Sequence, residues 1–248
     1  MRRTPAFIPS GIPPRLNALP GIKAVVFDVY GTLLLGGGPV HPDPEADEAL
    51  AVFLSTHGLP FTGSITTALA DAVKRSHAAS AATFPEVDLH ALWSEVLQRD
   101  IDSPVFIALE DIRQPVALMP HASETLSALS HLPLGLISNA QANTLPVLER
   151  LTGLQPFEDD LCILSHRHGE AKPSPALFDS LAAALALRGI APSETVIVGN
   201  DPRHDIVPAR ARGFRTALTV ADRDSLRDGG TDAADAVIAD LRQLISLM

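Results

Sequence analysis

Residues 22–34 read IKAVVFDVYGTLL, and the fold is decided by how this stretch is read. After Lys23 it runs through Ala24, Val25, Val26 and Phe27 without a charge. A short apolar, β-rich run of this kind suits a strand buried on both faces, the usual centre of a parallel sheet. The strand delivers Asp28 at its carboxyl end, followed by Tyr30, a turn at Gly31 and Thr32. In open α/β sheets ligands bind outside the carboxyl ends of the strands, which places Asp28 where chemistry is expected. A carboxylate ending an apolar strand is costly unless it is paired, bound to a cation or used as a nucleophile.

Working outward, Gly36–Gly38 and then Pro39, Pro42 and Pro44 read as a hinge or flap leading into a new unit. That unit is helical. Residues 46–57 are amphipathic, and Ile65, Ala68, Leu69, Ala72 and Val73 recur at helical spacing, as do Leu89, Leu92, Trp93, Val96 and Leu97. Pro85 and Asp88 mark the start of the last of these helices. From Val116 onward strands and helices alternate: strands at 133–138, 162–165, 195–198 and 216–220, a weaker one at VIAD, and helices at 122–131, 142–151, 175–188, 206–212 and 240–247. Repeated βα units predict a doubly wound parallel α/β sheet with an inserted α-helical cap. The expected division is an N-terminal arm over 1–20, an α/β core over 21–40 and 113–248, and a helical cap over 41–112.

The bulk properties narrow the function classes. The chain has 248 residues, is 46% hydrophobic and carries a formal net charge of -10, with no basic run beyond Arg2 and Arg3. Nucleic acid and anionic membranes are therefore not expected as partners. No segment approaches the roughly 18 consecutive apolar residues of a membrane span. Pro5, Pro9, Pro13 and Pro14 leave no apolar stretch behind the two arginines for an export signal, and residues 1–20 read as a mobile or surface-draped arm. Cys162 is the single cysteine, so no disulfide forms within the chain and a cytoplasmic location is expected. It lies in an apolar run and reads as a core residue, as do Trp93 and Phe53 in the helical unit.

The stretch around Asp28 resembles the first motif of the haloacid dehalogenase-like (HAD) superfamily of hydrolases, in which the leading aspartate attacks the substrate and forms a covalent aspartyl-enzyme intermediate. Three later stretches fit the same resemblance in order. LISNA supplies Ser138 and Asn139, EAKPSPALF supplies Lys172, and VIVGNDPRHDI supplies Gly199, Asn200, Asp201 and Asp205. The resemblance implies Asp28, Thr32, Ser138 and Lys172 as catalytic residues, with Lys172 and Ser138 stabilising an anion. It implies Tyr30 and Asn139 beside the substrate. It also implies Mg²⁺ held by Asp28, the Tyr30 carbonyl, Asn200, Asp201 and Asp205, a donor set whose oxygens suit that ion.

Two departures divide the superfamily's chemistries here. Its phosphatases usually carry a second Asp two residues after the nucleophile, as general acid and base; this chain has Tyr30, as the 2-haloacid dehalogenases do. Tyrosine, with an ordinary pKa near 10, is a poor substitute at neutral pH. Expelling a halide needs no proton and no metal, so Tyr30 favours a dehalogenase. Against that stand the two aspartates after Gly199 and the lack of any arginine in residues 46–57, where dehalogenases place their halide-binding arginine. The expected function is a Mg²⁺-dependent phosphatase of a small phosphate ester. A metal-independent 2-haloacid dehalogenase is the alternative, and a non-catalytic binding module a second one. His166 and His168 read as loop residues near the site, and Arg75 and His77 as a solvated helix face.

Overall fold

The computed structural model describes residues 3–248; Met1 and Arg2 lie outside the described residues. In chain order the elements begin with β1 (Ala24–Phe27), β2 (Leu34–Leu35), α1 (Pro44–Thr56), α2 (Ile65–Ala79), α3 (Leu89–Leu97), α4 (Ser103–Arg113) and β3 (Ala117–Leu118). They continue with α5 (Ala122–Ala128), β4 (Leu134–Ser138), α6 (Thr144–Thr152), β5 (Phe157–Leu164), α7 (Ser165–His168) and α8 (Pro175–Leu187). The chain closes with β6 (Thr195–Gly199), a π-helical turn at Pro202–Ile206, α9 (Val207–Arg210), β7 (Arg215–Thr219), β8 (Ala236–Ile238) and a 3₁₀ helix over Leu241–Leu247.

Six strands form one sheet in the order β5-β4-β1-β6-β7-β8, and every pairing in it is parallel. The apolar run of β1 is fully buried because each face of the sheet carries its own core. Val25 and Phe27 pack on one side with Leu136 and Val198; Ala24 and Val26 pack on the other with Ile137, Phe178 and Ile197. This period-two alternation explains why all four residues are apolar. β1 lies between β4 and β6, so the chain order reverses across it. The carboxyl ends of these three strands meet at that switch point. They deliver Asp28, Ser138 and Gly199-Asn200 to one place.

Helices α1 to α4 build a third core around Leu50, Leu69, Trp93, Phe106 and Leu109, all buried. Their starts follow local chemistry: Asp43, Ser64, Asp88 and Asp102 each accept an N–H of the first turn, with Pro44 and Pro104 inside the starts of α1 and α4. The antiparallel ladder of β2 with β3, not anticipated from the sequence, joins the two crossings between this unit and the sheet. The described part of the arm is tied down. Ser10 N donates to Ala221 O, Arg15 exchanges bonds with Val237, and Leu19 is buried against the terminal 3₁₀ helix. Among the described residues no helix is long and apolar enough to cross a membrane.

Candidate active site

Asp28 leaves β1 with its main chain still in the sheet, its N–H donating to Val198 O (2.8 Å). Its two carboxylate oxygens have different company. Oδ1 accepts from Ser138 Oγ (2.9 Å) and from Lys172 Nζ (2.7 Å), whereas Oδ2 meets only the Thr32 hydroxyl, at 3.3 Å. Lys172 uses all three of its ammonium donors: on Asp28, on Asp205 Oδ1 (2.5 Å) and on the Ile137 carbonyl (2.9 Å). Burial alone lowers a lysine pKa; here the two carboxylates override it and hold Lys172 above its ordinary value. Asp205 shares that ammonium with Asp28 and is fully enclosed. Burial, with the Asp28 charge adding to it, pushes its carboxyl up to about 6 against the pull of Lys172.

The motif-four loop distributes its acids unequally. Asp205 Oδ2 accepts the Asp201 N–H (2.9 Å), so both Asp205 oxygens are engaged. Gly199 allows this approach, since a Cβ there would lie 2.4 Å from the Asp205 side chain. Asp201 caps the π-helical turn, Oδ1 accepting the N–H groups of Arg203 and His204, while Oδ2 pairs with His204 Nδ1 at 2.7 Å. These bonds hold the Asp201 carboxyl below its ordinary pKa against the opposing effect of burial. Asn200 donates Nδ2 to Ser225 O (2.6 Å) and packs its side chain close against Gly31. A Cβ at Gly31 would stand 2.4 Å from Nδ2 and 3.0 Å from Oδ1, and Gly31 has φ +89°.

Tyr30 turns away from proton chemistry. Its hydroxyl pairs with Thr144 Oγ1 at 3.1 Å, and burial pushes its pKa up to about 12. The ring lies against Gly37, where a Cβ would come within 2.4 Å of it. The glycine run thus gives Tyr30 room as well as connecting two units. Asn139 faces the Lys172 loop: its Oδ1 accepts the Lys172 N–H (2.6 Å) and its Nδ2 donates to the Lys172 carbonyl (3.2 Å). Its observed contacts are those of a residue that positions Lys172.

Asp28, Tyr30, Ser138, Lys172, Asn200 and Asp201 line one small cavity of about 120 Å³, with His204 and Arg227 at its wall. All nine residues singled out from the sequence lie in this neighbourhood. His166 differs from its expected place: it stands in α7 with Nδ1 against the Ala140 carbonyl, and burial lowers its pKa. Arg75 is exposed and paired with Glu95, as a solvated face requires. His77 is not; it is half-buried and lines a larger cavity of about 480 Å³ between the helical unit and the sheet. His204 and Arg227 were missed because nothing local distinguishes them. The spacing of Asp201 and His204 is that of an ordinary helical i,i+3 pair.

Among the described residues no three His, Cys, Asp or Glu side chains stand grouped as a ready-made cation cage. The donor chemistry beside Asp28 nevertheless fits Mg²⁺, which takes one or two carboxylates and keeps several waters. Asp28 Oδ2 has one weak partner, and the Asn200 carboxamide packs against Gly31 with its nitrogen already committed to Ser225 O.

Known proteins resemble the chain in sequence and in fold. A ribulose-1,5-bisphosphate 5-phosphatase from Halopiger xanaduensis is 34% identical over 125 residues, a match spanning 49% of this chain and 49% of that protein. The chain thus aligns with about half the length of this curated relative. A 2-haloacid dehalogenase from Pseudomonas syringae pv. Tomato has a similar structure, with TM-score 0.62, 25% identity and coverage of 91% of this chain and 97% of that one. A HAD phosphatase from Thermococcus onnurineus shares the fold at TM-score 0.55 and 20% identity, covering 91% of this chain and 97% of its own. The family model for haloacid dehalogenase-like hydrolases matches residues 22–213, from the start of β1 past the motif-four turn. The chain belongs to the haloacid dehalogenase-like hydrolases.

Proposed function

We propose that this hydrolase is a Mg²⁺-dependent phosphatase of small phosphate esters, working through a covalent aspartyl-phosphate on Asp28. The observation that carries the reading is the asymmetry of the Asp28 carboxylate. Ser138 and Lys172 hold Oδ1, which leaves Oδ2, met by the Thr32 hydroxyl at 3.3 Å, as the attacking oxygen. In the first step the Oδ2–phosphorus bond forms and the ester P–O bond breaks, the departing alkoxide taking a proton from water; in the second, water attacks the phosphorus, the Oδ2–phosphorus bond breaks, and inorganic phosphate leaves with Asp28 restored. Lys172 holds the Asp28 carboxylate in place and balances the charge that gathers as the phosphoryl group arrives. Asp205 and the Ile137 carbonyl fix the ammonium, and Asn139 fixes the loop that carries it. Asp28, the Tyr30 main-chain carbonyl and Asn200 would hold Mg²⁺, which when bound supplies positive charge to the phosphoryl oxygens. Asp201 and Asp205 support this arrangement through the turn and through Lys172. Tyr30 contributes shape rather than a proton, because its phenol stays neutral far above physiological pH.

In this reading residues 41–112 act as a cap that roofs the site and restricts entry to small molecules, and the chain works in the cytoplasm. The phosphatase relative from Halopiger supports the phosphate-ester class. One observation favours a second reading, 2-haloacid dehalogenase: Tyr30 matches the dehalogenase motif, and the Pseudomonas syringae enzyme is structurally similar. Arg113 of the helical unit, which lines the larger cavity, argues against it, because it is clasped by Glu110 rather than offered to a halide. A non-catalytic module does not explain why a buried Lys172 holds two carboxylates.

The test is hydrolysis of p-nitrophenyl phosphate with millimolar Mg²⁺ by the parent chain and by Asp28→Asn. Turnover in the parent, lost to background in the variant, is expected. Equal turnover in both would sink the nucleophile assignment. Halide release from 2-chloropropionate without phosphate release would establish the second reading.

A further inference from the structure

A phosphoryl group entering the catalytic cavity of about 120 Å³ needs hydrogen-bond donors, and most of the side-chain donors on its wall are already committed. Lys172 gives its three N–H bonds to Asp28, Asp205 and the Ile137 carbonyl. The Ser138 hydroxyl goes to Asp28, Asn139 Nδ2 to the Lys172 carbonyl and Asn200 Nδ2 to Ser225 O. The Tyr30 hydroxyl is engaged with Thr144. His204, with Nδ1 held by Asp201, has only Nε2 left, which offers at most a single N–H.

Arg227 is the exception. Among the described residues its hydrogen bonds run only from Nη1, to the carbonyls of Asp224 (3.4 Å) and Leu226 (3.0 Å). The Nε and Nη2 donors of the guanidinium are uncommitted. Its charge matters as well. Asp28, Asp201 and Asp205 line the cavity, so without Arg227 three carboxylates would face the Lys172 ammonium alone and repel an incoming phosphate.

The loop that carries Arg227 is braced on both sides of it. Before it, a 3₁₀ turn at Arg223–Ser225 is capped by Asp222, whose Oδ2 accepts both the N–H (2.9 Å) and the hydroxyl (2.7 Å) of Ser225. The Ser225 carbonyl accepts Asn200 Nδ2 at 2.6 Å, which ties it to the motif-four turn. After it, Gly229 lies on Pro202, the first residue of the π-helical turn; a Cβ there would stand 2.8 Å from the proline side chain, at φ +133°. The N-terminal arm adds a third tie. Ile8 N–H donates to Asp222 Oδ1 (2.9 Å), and Ile8 O accepts the Arg223 N–H (2.7 Å). An exposed arginine on an unbraced loop is an ordinary solvated charge. Arg227, although exposed, stands two residues from each of two contacts with the loop that carries Asn200 and Asp201.

We propose that Arg227 is a further catalytic residue, whose Nε and Nη2 donate to the non-bridging oxygens of the phosphoryl group as it passes to Asp28. A guanidinium matches those oxygens in paired, charge-assisted bonds, and its fixed charge acts where negative charge gathers during transfer. It gives up no proton. This rests on the phosphatase reading above and adds to it the donor that Lys172, with its three bonds made, does not supply.

The experiment measures kcat and KM for p-nitrophenyl phosphate with millimolar Mg²⁺, and the inhibition constant of inorganic phosphate, in the parent, Arg227→Met and Arg227→Lys. 2-Carboxyethyl phosphate, an ester with a second anion, is the comparison substrate. Arg227→Met is expected to lose at least about tenfold in kcat/KM on both esters alike, and to weaken phosphate inhibition by at least about tenfold. Arg227→Lys keeps the charge without the paired donors and is expected to recover only part of each loss. Because the side chain is exposed, the melting temperatures of both variants are expected within about 2 °C of the parent. A parent active on p-nitrophenyl phosphate, with Arg227→Met indistinguishable from it, overturns this assignment and leaves the phosphatase reading standing. So does a loss confined to 2-carboxyethyl phosphate, which would put the guanidinium on a distal anion, or a loss of activity with phosphate inhibition unchanged. A parent inactive on both esters overturns both readings.

Discussion

Tyr30 occupies the position where a phosphatase of this superfamily usually keeps its proton carrier, and its surroundings remove it from that duty. Burial raises the phenol to about 12, and Thr144 holds its hydroxyl. Because Tyr30 is the only tyrosine, the tyrosinate absorbance of the native chain reports this one group. The expected midpoint is near 12 in the folded protein and near 10 in denaturant. The sign follows from proton counts: between those values the folded state holds a proton that the unfolded state has released. The stability associated with Tyr30 is intact below pH about 10 and declines as pH climbs through that window. A native midpoint at 10 would mean that the ring is in water. At this scale much of the site was legible beforehand. Asp28, Ser138 and Lys172 were readable because each stands at a strand end or in a Lys-Pro pair in the expected order. The division of labour among Asn200, Asp201 and Asp205 was not, because it depends on which carboxylate the lysine reaches and which one caps the π-helical turn.

The four helices of the inserted unit are readable from their periodicity and caps, but their polar interior is not. Glu110 and Arg113 sit three apart near the end of α4, a spacing that on most helices means a solvated pair of little consequence. Here both are buried, Arg113 grips Glu110 through two bonds, and Trp93 Nε1 donates to the same carboxylate at 2.8 Å. Neutralising one member leaves the buried charge of the other without its main counter-charge. Glu110→Gln is expected to destabilise the chain by about 3 kcal/mol, and Arg113→Met on top of it to restore most of that loss. Urea midpoints of the parent, the single and the double variant measure it. A single variant within about 0.5 kcal/mol of the parent would show that the pair is hydrated and weak. The neighbouring His77 teaches the same lesson: a histidine on the polar side of α2 reads as solvated until the sheet closes over it. Gly37 likewise looks like a hinge residue until Tyr30 is seen against it.

Across the whole molecule, one strand order explains why the chemistry collects where it does. With β1 between β4 and β6, the three carboxyl ends bring together residues separated by more than a hundred positions, as the 2.9 Å bond from Ser138 to Asp28 records. The α/β alternation and the inserted helices were readable because each is a local pattern. The chamber between the two units was not, because it exists only once they meet. The central claim, that Asp28 accepts a phosphoryl group, is tested most directly by thermal unfolding with Mg²⁺, with and without beryllium fluoride, which mimics a phosphoryl group on an aspartate. Ligand at a hundred times its dissociation constant stabilises the folded state by about 2.7 kcal/mol, a rise of roughly 5–10 °C for a chain of this size. The expected result is a shift of that order that needs both additives and disappears in Asp28→Asn. No shift, or an equal one in the variant, would contradict the claim.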